Sequence, residues 1–200
     1  MACRRRLGIG AAAMALFLTM VAASSAGAAT NTCRNTADFG DWLAAFTTEA
    51  RKAGVSKGTI AATLADITFD PAIIAKDRQQ SVFNQSFLQF SDRMVSDFRI
   101  KQGRRLIKKY AKAIARIEEL FGVPGPVLTA LWALETDFGS NTGDLPTIRA
   151  LATLAYDCRR PEHFRPELLA ALKLVDRGDL APEQLIGAWA GELGQTQFLP

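Results

Sequence analysis

From residue 37 onward, apolar side chains recur at spacings of three and four, and almost nowhere in strict alternation. That period belongs to the α-helix. Phe39, Trp42, Leu43, Phe46 and Ala50 form the first stripe, with Gly54 as its stop. Ser56 is placed to cap a short helix carrying Ile60 and Leu64. Asp70-Pro71 marks a turn with proline at a helix start, and Ile73 to Asp77 make one helical turn. Residues 80–98 mix Gln, Ser and Asn with Phe83, Phe87, Leu88, Phe90, Met94 and Phe98. Such aromatics fit a core; alternatively, they line a groove that grips a sugar face. Gly103 separates this segment from a long amphipathic helix, Arg104 to Phe121. Ile107, Tyr110, Ile114, Ile117 and Phe121 are its apolar side, and Arg104, Arg105, Lys108, Lys109, Lys112 and Arg116 its basic one. The basic side reads as a solvated face or as a contact to an anionic polymer. Further helices carry Ile148, Leu151 and Leu154, then Phe164, Leu168, Leu169, Leu172 and Val175, and finally Leu185, Ile186 and Trp189 after Pro182. No run reads as a strand. The expected fold is mainly α.

The stretch from Pro124 to Gly143 concentrates the chemistry. Val127, Leu128, Leu131, Trp132 and Phe138 share one face of a helix that starts at the prolines and stops at Gly139. Glu135 lies four residues after Leu131 and three after Trp132, so it falls on or beside that face. An apolar surround disfavours the ionised carboxylate, and so does the negative end of the helix dipole. A carboxyl kept protonated near neutral pH can act as a general acid. The alternative is a half-exposed Glu whose stem covers Trp132.

Charge changes the picture only once the N-terminus is set aside. The chain has 200 residues, 24 Lys and Arg against 20 Asp and Glu, and a net charge of +4. Arg4, Arg5 and Arg6 lie in a stretch without acids, and without them the net charge is +1. No basic excess remains to attract nucleic acid. Those arginines, the apolar run Leu7 to Ala23 and the small residues Ala26-Gly27-Ala28 read as an export signal over residues 1–29, cleaved to leave no stable membrane span. Residues 30–100 then form an N-terminal helical region and 101–200 a core. Export places Cys33 and Cys158 in an oxidising compartment, where they make a candidate disulfide; two separate thiols are the alternative.

His163 is the one histidine, and no cluster has metal-ligand spacing, so no metal site is expected. No nucleophile-elbow motif and no phosphate-binding glycine loop is present. Carboxylate chemistry at Glu135 remains.

Leu131-Trp132-Ala133-Leu134-Glu135-Thr136-Asp137-Phe138-Gly139, followed by Gly143, resembles the catalytic-glutamate motif of the lytic murein transglycosylases of the membrane-bound B type. Leu151 to Tyr156 with Arg159-Arg160 resembles that family's second block, and Trp189 to Pro200 its third. The resemblance implies a lysozyme-like helical core with an N-terminal helical extension. It implies a periplasmic enzyme cutting peptidoglycan between N-acetylmuramic acid and N-acetylglucosamine, without metal or organic cofactor. Glu135 would protonate the glycosidic oxygen, then accept the proton of the muramic acid 6-hydroxyl as a 1,6-anhydro ring closes. No second carboxylate is needed, unlike in ordinary glycosidases.

By position, Gln197 would hydrogen-bond the sugar near the scissile bond, with Gln195 beside it. Tyr156 would join the cleft wall. Arg159 and Arg160 would meet carboxylates of the peptide stem or muramyl group; a solvated turn is the equal alternative. Two positions depart from the family pattern: Ala188 replaces a serine, and Glu192 a common alanine. The family continues beyond its third block, so the chain is expected to be a C-terminally truncated portion. The alternatives in function are a hydrolysing muramidase using Asp137, Asp144 or Glu192 as second acid, and a non-catalytic peptidoglycan-binding protein.

Overall fold

The computed structural model describes residues 35, 37–79 and 84–200. The expected signal segment and Cys33 lie outside them, as does Phe83. In chain order the elements are α1 (Phe39–Lys52), α2 (Lys57–Leu64), α3 (Pro71–Arg78), α4 (Phe87–Met94), α5 (Asp97–Lys109), α6 (Ala111–Phe121) and α7 (Gly125–Thr136). A short strand β1 (Leu145–Pro146) follows, then α8 (Thr147–Tyr156), α9 (Pro161–Asp176), one 3-10 turn (Pro182–Gln184) and β2 (Ile186–Gly187). The mainly helical expectation holds.

The local start signals act as read. Ser56 caps α2 by accepting from Thr59 N, and Asp70 caps α3 by accepting from Ala72 N ahead of Pro71. Each supplies an oxygen to a backbone N–H that the first turn leaves without a partner.

Three expectations change. The long helix from Arg104 is two helices broken at Tyr110, whose backbone (φ −105°, ψ 22°) leaves the helical range while its ring packs on Trp132. Gly103 lies within α5 and separates nothing; it faces Thr129 and Phe138, where a larger residue would press on α7. After Pro182 the helix stops at one 3-10 turn. There the chain runs into β2, which pairs antiparallel with β1, Leu145 opposite Gly187. A two-residue strand is too short to carry an alternating pattern.

α8 is the centre of the core. Eight of its ten residues are buried, all but Arg149 and Tyr156. Leu151 and Leu154 meet Leu168 and Leu172 of α9, Phe46 of α1, and Ile73 of α3 in one cluster. Burying a Leu or Phe side chain contributes about 1.5–3 kcal/mol, so this cluster holds α1–α3 and α8–α9 together.

Gly191 closes over this core with φ +94°. A Cβ there would stand 2.4 Å from Leu151 Cδ2. The expected outcome of Gly191→Ala is a loss of at least about 2 kcal/mol, from left-handed strain plus overpacking. A thermal melt reads this as a fall of about 4–8 °C.

Two ion-pair clusters tie the outer elements. Glu49 of α1 pairs with Arg165 of α9. Asp77 of α3 is 1% exposed and receives Arg78, Arg159 and Arg160, with Arg159 Nη1 at 2.7 Å. Burial alone would raise the Asp77 pKa, but the hydrogen bonds and charges of Arg159 and Arg160 outweigh it and hold the carboxyl below its ordinary value.

Candidate active site

α7 delivers Glu135 to its last turn, as expected, but with a different face inward. Gly125, Thr129, Ala133 and Thr136 are the buried residues. Val127, Leu131 and Leu134 stand 50%, 49% and 45% exposed. Glu135 is exposed too. The apolar surround predicted for it is therefore absent in the free chain. The physical reason is close helix packing. A Cβ on Gly125 would meet Ile114 Cγ2 of α6 at 2.5 Å, and α5 presents Gly103 to Thr129. Small residues face small gaps, and the bulky stripe is left outside.

That outside stripe is flanked by two grooves. One, of about 320 Å³, runs between α5 and α7 and is lined by Ile100, Ile107, Ala130, Leu134 and Phe138. The other, of about 370 Å³, lies between α6, α7 and the loop after Gly194, lined by Tyr110, Leu128, Trp132, Gln195 and Thr196. Glu135 follows Leu134 of the first groove in sequence and lies about one turn beyond Trp132 of the second. It is a carboxylate at the end of an apolar ridge.

The reversal after α7 is firmly held. Asp137 and Phe138 both have positive φ, 48° and 61°, followed by Gly139 at 86°. Arg99 of α5 donates from Nε to Asp137 Oδ1 at 2.6 Å and from Nη1 to Met94 O at 2.9 Å. The Arg99 hydrogen bond keeps the Asp137 carboxyl below its usual pKa. Asp137 is thus an ionised partner of Arg99.

The loop of the third block forms a tight turn closed by Leu193 N to Phe198 O at 2.7 Å and Phe198 N to Leu193 O at 3.2 Å. Within it, Gln197 takes φ 53°, and its Nε2 donates to Gly194 O at 2.8 Å and to Thr142 O at 3.3 Å. The loop docks on α7 through Gln195. Trp132 Nε1 donates to Gln195 Oε1 at 2.7 Å, and Thr136 Oγ1 donates to Gln195 O at 2.7 Å. Gly139 permits this: a Cβ there would meet Gln195 Oε1 at 2.6 Å. The first and third sequence blocks are therefore brought together.

The second block is not joined to them by any hydrogen bond or ion pair among the described residues. Tyr156 packs edge-on against Phe39, Trp42 and Phe69 and donates its hydroxyl to Ala37 O at 2.7 Å. Arg159 and Arg160 meet a carboxylate as expected of Arg forks, but it is the protein's own Asp77. Both side chains lie in a turn that keeps them partly exposed. Cys158 is disulfide-bonded, and its N–H donates to Asn35 Oδ1 at 2.9 Å.

Sequence reasoning missed the clamp of Trp132, Thr136 and Gln195, the Arg99–Asp137 pair, and Asp77. The first two depend on which loop returns to α7, and no spacing along the chain encodes that. For Asp77, the adjacent pair Arg159-Arg160 signalled a carboxylate partner without saying which. No group of His, Cys, Asp and Glu among the described residues is arranged to hold a metal ion, and no single described helix is long and apolar enough to cross a membrane.

Comparison with known proteins places this geometry. SltB3 from Pseudomonas aeruginosa, crystallised with NAG-anhNAM-pentapeptide, is 33% identical and superposes with a TM-score of 0.75 over 81% of this chain and 43% of its own. SltB1 from the same organism, a soluble lytic transglycosylase, is 29% identical with a TM-score of 0.70 over 79% and 54%. Membrane-bound lytic murein transglycosylase B of Escherichia coli is 29% identical over 118 residues, 58% of this chain and 33% of that protein. The chain thus spans about a third to a half of the length of these relatives. The family model described as the transglycosylase SLT domain matches residues 38–200, and the chain belongs to that family.

Proposed function

We propose that the chain carries the glutamate-bearing part of a periplasmic lytic transglycosylase that cleaves the β-1,4 bond between N-acetylmuramic acid and N-acetylglucosamine in peptidoglycan. The observation that carries this reading is Glu135 at the end of an exposed apolar ridge, with the Gln195–Gln197 loop docked on its helix neighbours Trp132 and Thr136. A sugar ring presents an apolar face that suits Leu131 and Trp132, and hydroxyls that suit an amide. SltB3 binds a fragment whose muramic acid is in the anhydro form, which supports the same product class here.

In this mechanism the strand lies along the ridge and removes water from Glu135, giving the carboxyl the low-polarity surround that the free chain lacks. The protonated carboxyl gives its proton to the glycosidic oxygen as the C1–O4 bond breaks, and the N-acetylglucosamine leaves with that proton. The carboxylate then takes the proton of the 6-hydroxyl, whose oxygen bonds to C1. The proton returns to Glu135, and no water is consumed. Arg99's hold on Asp137 supports a single-carboxylate route. Gln197, with its Oε1 unpartnered among the described residues, accepts a sugar hydroxyl or amide. Cys33 is the proposed partner of Cys158.

The test is the chemistry of the new ends. Digestion of isolated sacculi is expected to release soluble glycan without reducing muramic acid ends, so that borohydride reduces none of them. Borohydride-reducible ends in step with release would select a hydrolysing muramidase instead. Binding to sacculi without release would select a non-catalytic wall-binding protein.

A further inference from the structure

We infer that Gln195 is a positioning residue for Glu135 rather than a sugar ligand, a reading that rests on the proposed role of Glu135. The oxygen of its side-chain amide is already held by the protein, although the residue itself is exposed. The indole N–H of Trp132 can only donate, so the atom it meets at 2.7 Å is the amide oxygen of Gln195. The backbone carbonyl of the same residue takes the hydroxyl of Thr136 at 2.7 Å. Thr136 is 1% exposed, and its oxygen also accepts from Gly139 N at 3.0 Å. Trp132 and Thr136 lie on either side of Glu135 in sequence, three residues before it and one after.

One residue of the third block thus grips the last turn of α7 at two points, on the residues that bracket Glu135 in sequence. The same loop, closed by Leu193 and Phe198, carries Gln197 two residues further on. The clamp fixes the distance and angle between the proton-transferring group and the proposed sugar-binding amide. A group that orients reactants changes kcat, because a misplacement of about 1 Å can cost 10²-fold.

The experiment compares Gln195→Ala, Trp132→Phe and the double variant in release of soluble glycan from sacculi, with Glu135→Gln alongside. Each single variant is expected to lower kcat by about 10- to 100-fold with KM within about twofold, and the double variant to be no worse than either single. The indole N–H resonance of Trp132 is expected to shift upfield in Gln195→Ala, while thermal melts show all variants folded. The inference is overturned if Gln195→Ala raises KM and spares kcat while Trp132→Phe does neither. It is also overturned if the Trp132 resonance does not move. Full activity in Glu135→Gln would instead remove the role of Glu135 itself, a result separable from the other two because the Trp132 resonance reports the clamp without any turnover.

Discussion

Glu135→Gln is expected to lower release of anhydro-muropeptides from sacculi by about 10²–10⁴-fold, the range that a positioned acid and base supplies. The substitution keeps the side chain's shape and removes only its proton chemistry. No hydrogen bond or ion pair among the described residues ties Glu135 in place, so little structural energy is at stake. Stability is therefore expected to change by no more than about 0.5 kcal/mol. Binding of the variant to sacculi is expected to persist, because the ridge of Val127, Leu131 and Leu134 is untouched. A variant that is both folded and fully active would transfer the proton chemistry to another group. Undiminished binding with lost release separates a chemical role from a contact role.

The second large effect is on stability and falls at Asp77. Asp77→Asn leaves Arg78, Arg159 and Arg160 gathered around a neutral amide. Arg78 retains Asp157, which it reaches with two 2.8 Å contacts, but Arg159 and Arg160 lose their only described carboxylate. Breaking a buried pair costs about 3–5 kcal/mol; these guanidiniums keep some solvent, so the loss is set at about 3 kcal/mol. That is a fall of about 6–12 °C in a thermal melt at neutral pH. The sign with pH follows from the lowered carboxyl pKa. A depressed folded-state value adds stability above the ordinary carboxylate pKa near 4, and that stability is lost as pH falls through the folded value. The gap in melting temperature between wild type and Asp77→Asn should therefore be full at pH 7 and close progressively below about pH 4. A gap that stays constant down to pH 2 would show that Asp77 acts by packing and not by charge.

What could be read from the residues divides along a physical line. Ser56 and Asp70 were legible as caps because a cap is satisfied by a backbone N–H two or three residues away. The stripe of α1 was legible because its large apolar side chains do turn inward, Phe46 being fully buried. On α7 the same rule inverted. Hydrophobic periodicity assumes that the bulkiest face is the buried one, whereas helices in close approach select Gly125, Thr129 and Ala133 and leave the leucines outside. The position of Glu135 in the last turn survived this inversion; its burial did not. For the third block, resemblance identified the loop but not what Gln195 touches. Its partners, Trp132 and Thr136, lie 63 and 59 positions away. Arg159 and Arg160 were read toward substrate carboxylates or as a solvated turn; the carboxylate they meet is Asp77, 82 and 83 positions upstream, which no local spacing encodes.

The central claim is that Glu135 transfers protons without admitting water to the cut bond. Digestion of sacculi in water enriched in oxygen-18, followed by mass spectrometry of the released fragments, tests it most directly. The account predicts anhydromuramyl products with no oxygen-18 at their ends, and their loss in Glu135→Gln. Incorporation of one oxygen-18 at each new muramic acid end would contradict it.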